Sequence, residues 1–399
     1  MGDALLAIAV IAGLIAILMV VLGLMRIAIR GFIVVIVLVV GLSLLGDGFE
    51  AVTPEDPPED PPGTFHVAAS KDGGWDVMVP PTPDATQYRV YLEGQRVATL
   101  AEPGTVHVND HAVMVEDYLP GPARRFTLST VTPQGKQKST LRWCAPVVFL
   151  AARGTWEDKG EASFGHGMGS RGWRTWMKLA QQLGVAPARE FVLPTVVGGT
   201  PVVYPATVFS KQSSGYHKSR DKGKRDLTKK INSITKDCPH SRIVLFGYSQ
   251  GADVVASVWQ ADTTDPAPFL GVVSFADPYF NRRWTEQMTI YPEGGSWSKD
   301  GLLGMRPKFD DSELPNLQVW CLPGDPVCQA RPTVKHWHGW EYDCFEDWAA
   351  FRLAADVAPF LRSEGWDVLD PRQPRCIPAT EKSLDRNQSY EPDPWENVA

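Results

Sequence analysis

The chain has 399 residues, 44% of them hydrophobic and 21% charged, and carries a formal net charge of −7. That length allows two or three domains and at least one full core, and the mildly acidic balance gives no support to nucleic-acid binding as the main task. Six cysteines all lie after residue 143, none in C-x2-C spacing, which argues for disulfides over a zinc site and hence for an oxidising compartment.

The N-terminus agrees with export. Residues 4–25 form a run of 22 without a charge, and residues 27–45 are nearly as apolar, interrupted only by Arg30. One helix through both would be roughly 60 Å long, about twice the hydrocarbon thickness of a bilayer. Two spans with a turn at residues 26–31 fit better, making residues 1–48 a transmembrane hairpin or anchor. Arg26 and Arg30 at the turn put it in the cytoplasm and everything after Leu45 outside. A signal peptide starting at Met25 is the alternative reading, but no clear A-x-A cleavage site follows it. The expected location is therefore membrane-anchored with the rest of the chain outside, or secreted if the N-terminus is cleaved.

Residues 49–63 follow as an acidic, Pro-rich linker. The stretch "EAVTPEDPPEDPP" holds five carboxylates and five prolines, so it cannot build a core and acts as an extended spacer.

From residue 64 to 143 short alternating runs such as "WDVMV" and "RRFTLSTVT" are separated by Pro and Gly turns, as in a small antiparallel sandwich. With Trp75, the Tyr88-x-Val-Tyr91 strand and Leu119-Pro120-Gly121 before a strand at 126–131, the segment resembles a fibronectin type III domain. It carries no cluster of catalytic residue types and reads as a spacer or adhesion module.

Between residues 144 and 370 the period changes. Short apolar runs at 147–152, 191–193, 243–247, 272–275 and 317–320 read as buried parallel strands. Helical stretches at 173–183, 226–236, 252–260 and 348–361 alternate with them. The expectation is an α/β domain around a central, mainly parallel sheet, with reactive groups at the carboxyl ends of its strands.

Ser249 stands at such an end. Gly247-Tyr248-Ser249-Gln250-Gly251 has the Gly-x-Ser-x-Gly form of a nucleophile elbow, with a strand before it and a helix after it. A serine hydroxyl needs a histidine to take its proton and an acid to orient that histidine. Two aspartates end strands downstream, Asp277 and Asp325, each followed by proline and so equally readable as a turn residue. A short bridge between Cys321 and Cys328 would stiffen the loop of Asp325. Histidines follow at His336 and His338.

These spacings together resemble the cutinase family. Its second signature is similar to Cys321-x-x-x-Asp325-x-Val327-Cys328 with a histidine 13 residues after the aspartate. Its first resembles Gly247–Gly251 preceded by a cysteine, here Cys238. Its Arg-Gly-Ser/Thr-x-Glu loop after an early cysteine is matched by Cys144 and then Arg153, Gly154, Thr155, Trp156 and Glu157, with threonine at the usual serine position. The resemblance covers about residues 144–361 and implies a cutinase-like α/β-hydrolase fold.

It also implies a serine esterase with Ser249 as nucleophile, His338 as base and then acid, and Asp325 as orienting carboxylate. Backbone N–H groups of Thr155 and Gln250 would form the oxyanion hole. The implied disulfides are Cys144–Cys238 and Cys321–Cys328, which leaves Cys344 with Cys376. No metal or organic cofactor is implied. His336 stays open as an alternative base, and a metal at the His-x-His pair lacks a third ligand by spacing. Implied substrates are cutin-like polyesters, lipid esters or acetylated xylan. For the related phage lysin B enzymes it is the mycolyl ester of the cell envelope, which adds cell-wall polysaccharide as a candidate partner beside the membrane.

Three segments stand outside this scheme. Residues 281–316 exceed the length usual in compact cutinases and read either as an overhang of the site or as a surface loop. Residues 211–230 hold eight Lys/Arg against two Asp, either a solvated helix face or a contact for anionic envelope polymer or lipid. Residues 371–399 read as a polar tail held only around Cys376. The competing functional class is a membrane-tethered adhesion or phage structural protein that keeps a hydrolase fold without turnover.

Overall fold

The computed structural model describes residues 65–376 apart from 71–73, 109–122, 156, 158–166, 186–195, 208–213, 263–267, 287–289, 294–296, 310–316, 331–337 and 339–341. All described residues belong to one compact unit, Pro62–Ala399. The expected membrane spans, the acidic linker and the tail beyond 376 lie outside the described residues. Among those described, no helix is long and apolar enough to cross a membrane.

The first layer is all β. Strands β1 (His66–Ala69), β2 (Trp75–Val79) and β5 (Gly104–Val108) form one antiparallel sheet. Strands β3 (Gln87–Leu92), β4 (Gln95–Leu100), β6 (Ala123–Thr132) and β7 (Gly135–Cys144) form a second, in the order β4-β3-β6-β7. Alternation does the work: in β2 and β3 every second side chain is buried, and Trp75, Val77, Tyr88, Val90, Leu92, Phe126 and Leu128 make a core between the sheets. Trp75 meets Phe126 and Trp143 edge-on, with ring centroids 5.5 and 5.7 Å apart. Trp143 also packs against the second core, so β7 hands the chain directly to the next layer.

That layer is a six-stranded sheet, ordered β12-β13-β11-β10-β8-β9, in which every pairing is parallel. Its strands are β8 (Val147–Ala152), β9 (Val197–Pro201), β10 (Arg242–Tyr248), β11 (Phe269–Phe275), β12 (Ile290–Tyr291) and β13 (Leu317–Trp320). β8 and β10 are buried along nearly their whole length, as in a sheet covered on both faces. Helix α1 (Gly169–Gln182) packs against α4 (Asp343–Ser363), and α2 (Gly215–Asp237) against α3 (Gln250–Asp262).

One strand went unread in the sequence and one helix boundary needs correction. The run at 191–193 lies outside the described residues; β9 at Val197–Pro201 was not expected, because "VGGTP" has little intrinsic strand preference. Packing decides there: a Cβ on Gly199 would sit 2.8 Å from the Trp176 ring, and Pro201 is tolerated because β9 is an edge strand. Helix α2 begins eleven residues before the expected 226. Its first turns carry Gly215, Gly223 and a dense run of charge, which hide the apolar period, while Gly223 allows Val254 to approach within 2.8 Å of its Cβ position.

Candidate active site

The parallel order brings the ends of β8, β10, β11 and β13 to one edge, and the predicted residues stand on the loops that leave it. Ser249 follows β10 directly. Its φ is +55°, a left-handed conformation that costs a non-glycine residue free energy, and it is held by Ser249 N–H donating to Phe275 O at 2.8 Å. The flanking glycines are required by space. A Cβ on Gly247 would lie 2.4 Å from Gly251 O, and one on Gly251 would lie 1.9 Å from Ala152 O. The same contact presses the elbow against the loop that carries Thr155.

Ser249, His338 and Asp325 meet. Ser249 Oγ lies 2.9 Å from His338 Nε2, and His338 Nδ1 lies 2.9 Å from Asp325 Oδ2. Asp325 is fully buried, and its other oxygen accepts the N–H groups of Val327 at 2.6 Å and Cys328 at 2.9 Å. Cys321–Cys328 closes this loop, as the resemblance implied, and Cys144–Cys238 and Cys344–Cys376 are also bridged. With Nδ1 turned to a carboxylate, Nε2 is free to accept the serine proton. His336 lies outside the described residues.

Asp277, the other candidate acid, is committed elsewhere. Arg306 donates from Nε to Asp277 Oδ2 at 3.0 Å and from Nη2 to Asp253 Oδ1 at 2.8 Å, and all three side chains are buried. Burial raises the Asp277 carboxyl above its ordinary range, with Arg306 opposing. Arg306 comes from the long 281–316 segment, which is tied down in part while Leu302 and Met305 stay exposed. Leu302 N–H donates to Val327 O at 2.7 Å and Leu303 N–H to Pro278 O at 2.9 Å. The segment thus braces the Asp277 and Asp325 loops against each other.

Thr155 lies on the loop after β8, and Gln250 directly follows Ser249. Gln250 opens α3, where a backbone N–H has no partner within the helix and the dipole favours negative charge. Its side chain is turned away, donating from Nε2 to Thr207 O at 3.0 Å and accepting from Ser219 Oγ at 3.2 Å. Thr155 ends a loop that Glu157 ties down: Oε2 accepts from Gly154 N–H at 2.6 Å and Oε1 from Arg171 N–H at 3.0 Å.

Two tyrosines escaped the sequence reading. Tyr342 donates to Asp325 Oδ2 at 2.8 Å and accepts from Leu322 N–H at 3.2 Å. Burial, and then the Asp325 charge, hold its hydroxyl well above the usual tyrosine range, so it remains a donor. Tyr248, the variable residue of the elbow motif, stacks on the His338 ring at 5.1 Å and donates to His338 O at 2.6 Å. Only the position of Tyr248 beside Ser249 hinted at such a role; for Tyr342 there was no sequence signal. Among the described residues, no group of three or more His, Cys, Asp or Glu is set to hold a metal ion.

The chain is similar to known proteins over the segment that carries this site. The family model described as Cutinase matches residues 143–352. Cutinase CUT1 of Coprinopsis cinerea is 32% identical over 204 residues, 51% of this chain and 79% of that one. Carboxylesterase Culp1 of Mycobacterium tuberculosis is 27% identical over 210 residues, 52% of this chain and 80% of that one. Among solved structures, the catalytic core of acetyl xylan esterase from Trichoderma reesei is similar with a TM-score of 0.38 at 19% identity, covering 53% of this chain and 100% of that one. Lysin B from a mycobacteriophage gives 0.33 at 16%, covering 59% and 94%.

Proposed function

This chain belongs to the cutinase family and is a carboxylic ester hydrolase; on that premise we propose that it is an exported, membrane-anchored serine esterase working through Ser249, His338 and Asp325. Ser249 Oγ attacks the ester carbonyl carbon while its proton passes to His338 Nε2. The oxyanion that forms is held by the backbone N–H groups of Thr155 and Gln250. The ester C–O bond then breaks, and the departing alcohol takes the proton from His338. Water, deprotonated in turn by His338, attacks the acyl-enzyme and releases the acid.

The observation that carries this reading is the continuous line of 2.9 Å contacts from Ser249 through His338 to a buried, fully hydrogen-bonded Asp325. Asp325 does not need to accept the proton; it fixes the ring and balances the imidazolium. The apolar segments at 4–25 and 27–45 serve as the anchor, and the acidic linker and β layer hold the esterase away from the membrane. The substrate is an ester of the envelope, either lipid or polymer-borne. Hydrolysis of a soluble short-chain ester, with burst kinetics for the acyl-enzyme, tests the assignment. It should disappear in Ser249→Ala, and turnover by that folded variant would overturn it.

A further inference from the structure

Helix α2 presents two opposed faces. Tyr216, Ser219, Gly223, Leu227 and Ile234 are buried. Lys218, Lys222, Arg225, Lys229 and Lys236 are exposed. At about 100° per residue these five cations fall within an arc of about 60°, turned away from the buried side. That arc contains no carboxylate. Asp221 and Asp226 stand to either side of it and pair with Arg220 at 2.9 Å and Lys230 at 2.7 Å. None of the five makes an ion pair among the described residues. A solvated face is normally mixed in sign, because like charges three or four residues apart repel. Five unrelieved cations on a chain of net charge −7 therefore mark a surface shaped for an anion.

The stripe begins at the reactive edge. Ser219, next to Lys218, donates to the Gln250 side chain at 3.2 Å, and Gln250 directly follows Ser249. From Lys218 to Lys236 the cations extend about 27 Å from that edge at the usual helical rise. Their spacing suits a polymer with one charge per sugar, and is far sparser than duplex DNA with a charge every ~1.7 Å. A bilayer fits less well, because the arc offers no apolar side chain to insert and the helix's apolar side is already buried.

We propose that this face binds a linear acidic polysaccharide, the polymer that carries the hydrolysed ester, and holds it in line with Ser249. The second clause rests on the esterase reading; the binding itself does not.

The test compares the full-length chain with a variant carrying Lys218→Gln, Lys222→Gln, Arg225→Gln, Lys229→Gln and Lys236→Gln. The probes are polygalacturonate, neutral dextran, and phosphatidylglycerol vesicles, and a soluble short-chain ester reports the folded site. The parent should bind polygalacturonate but not dextran, with affinity falling steeply as salt rises. The variant should bind polygalacturonate about tenfold more weakly or worse, with turnover of the soluble ester unchanged. Absence of polygalacturonate binding by the parent, equal binding by the variant, or a loss confined to vesicles would each overturn the proposal. If the parent fails to turn over the soluble ester, the esterase reading falls while the binding result stands separately.

Discussion

The Tyr342 hydroxyl and His338 Nδ1 share one oxygen of Asp325, at 2.8 and 2.9 Å. Two donors converging on Oδ2, with two backbone N–H groups on Oδ1, leave the carboxylate no freedom to rotate. Tyr342 is therefore a positioning residue whose effect on the reaction passes through Asp325.

Tyr342→Phe keeps the ring and deletes this bond. A hydrogen bond to a charged group contributes about 1.5 kcal/mol, so kcat for a soluble ester should fall about tenfold. KM should stay near the parent value, because the deleted hydroxyl bonds Asp325, away from the ester. Steady-state kinetics decide it, and an unchanged kcat would show that the hydroxyl does not position the acid.

The two candidate acids predict opposite phenotypes. Asp325→Asn should lower kcat by a factor of about 10⁴ in a protein that still folds. Asp277→Asn instead leaves Arg306 undercompensated in the interior, which costs about 3 kcal/mol or more of stability. Its kcat at a permissive temperature should stay close to the parent. Thermal melts and kinetics on both variants separate the roles.

The backbone strain at Ser249 is measurable. Ser249→Ala and Ser249→Gly both remove the nucleophile, but only glycine adopts φ +55° without steric cost. The glycine variant should be the more stable of the two by about 1 kcal/mol. Equal melting temperatures would mean that the left-handed turn is not strained.

Disulfide removal should split stability from activity. Cys144–Cys238 spans 94 residues and Cys321–Cys328 spans 7. The chain-entropy argument gives losses of about 4.5 and about 2.5 kcal/mol when each pair is replaced by serines. The ordering should reverse for kcat, since the short bridge closes the loop of Asp325. Chemical unfolding and ester hydrolysis on the two double variants check both halves.

Glu346 predicts an acid-side stability effect. It is fully buried between Arg171 at 2.8 Å and Arg174 at 2.8 Å, with Lys178 nearby. Burial alone would raise its carboxyl, but the arginines outweigh that and hold it below the ordinary range. With a folded pKa below the unfolded one, its stabilisation is present above about pH 4.3 and lost as pH falls through the folded value. Glu346→Gln should cost about 3 kcal/mol or more at neutral pH, with the gap from the parent narrowing in acid. Unfolding measured between neutral pH and pH 3 tests the sign; a constant gap would contradict it.

Much of this protein was legible along the chain because the signals were local or ordered. The Gly-x-Ser-x-Gly turn needs small residues at fixed positions, and Gly247 and Gly251 are where the backbone crowds. The short apolar runs at 147–152, 243–247, 272–275 and 317–320 are covered parallel strands, as their pattern suggested. The spacing of Cys321, Asp325, Cys328 and His338 placed an acid and a base in the right chain order.

Tertiary structure decided what depended on approach between distant segments. Asp277 and Asp325 both end strands before a proline, and in sequence only the cysteines around Asp325 set them apart; in the fold Arg306 reaches the one and His338 the other. Tyr342 carries no motif; it matters because burial strips it of water and leaves Asp325 as its acceptor. The basic run at 211–230 was only a composition until helix α2 turned four of its cations, with Lys236 beyond it, to one side and buried Tyr216, Ser219, Gly223, Leu227 and Ile234 on the other. Pattern identifies residue types that can do chemistry; distance and desolvation select which of them meet.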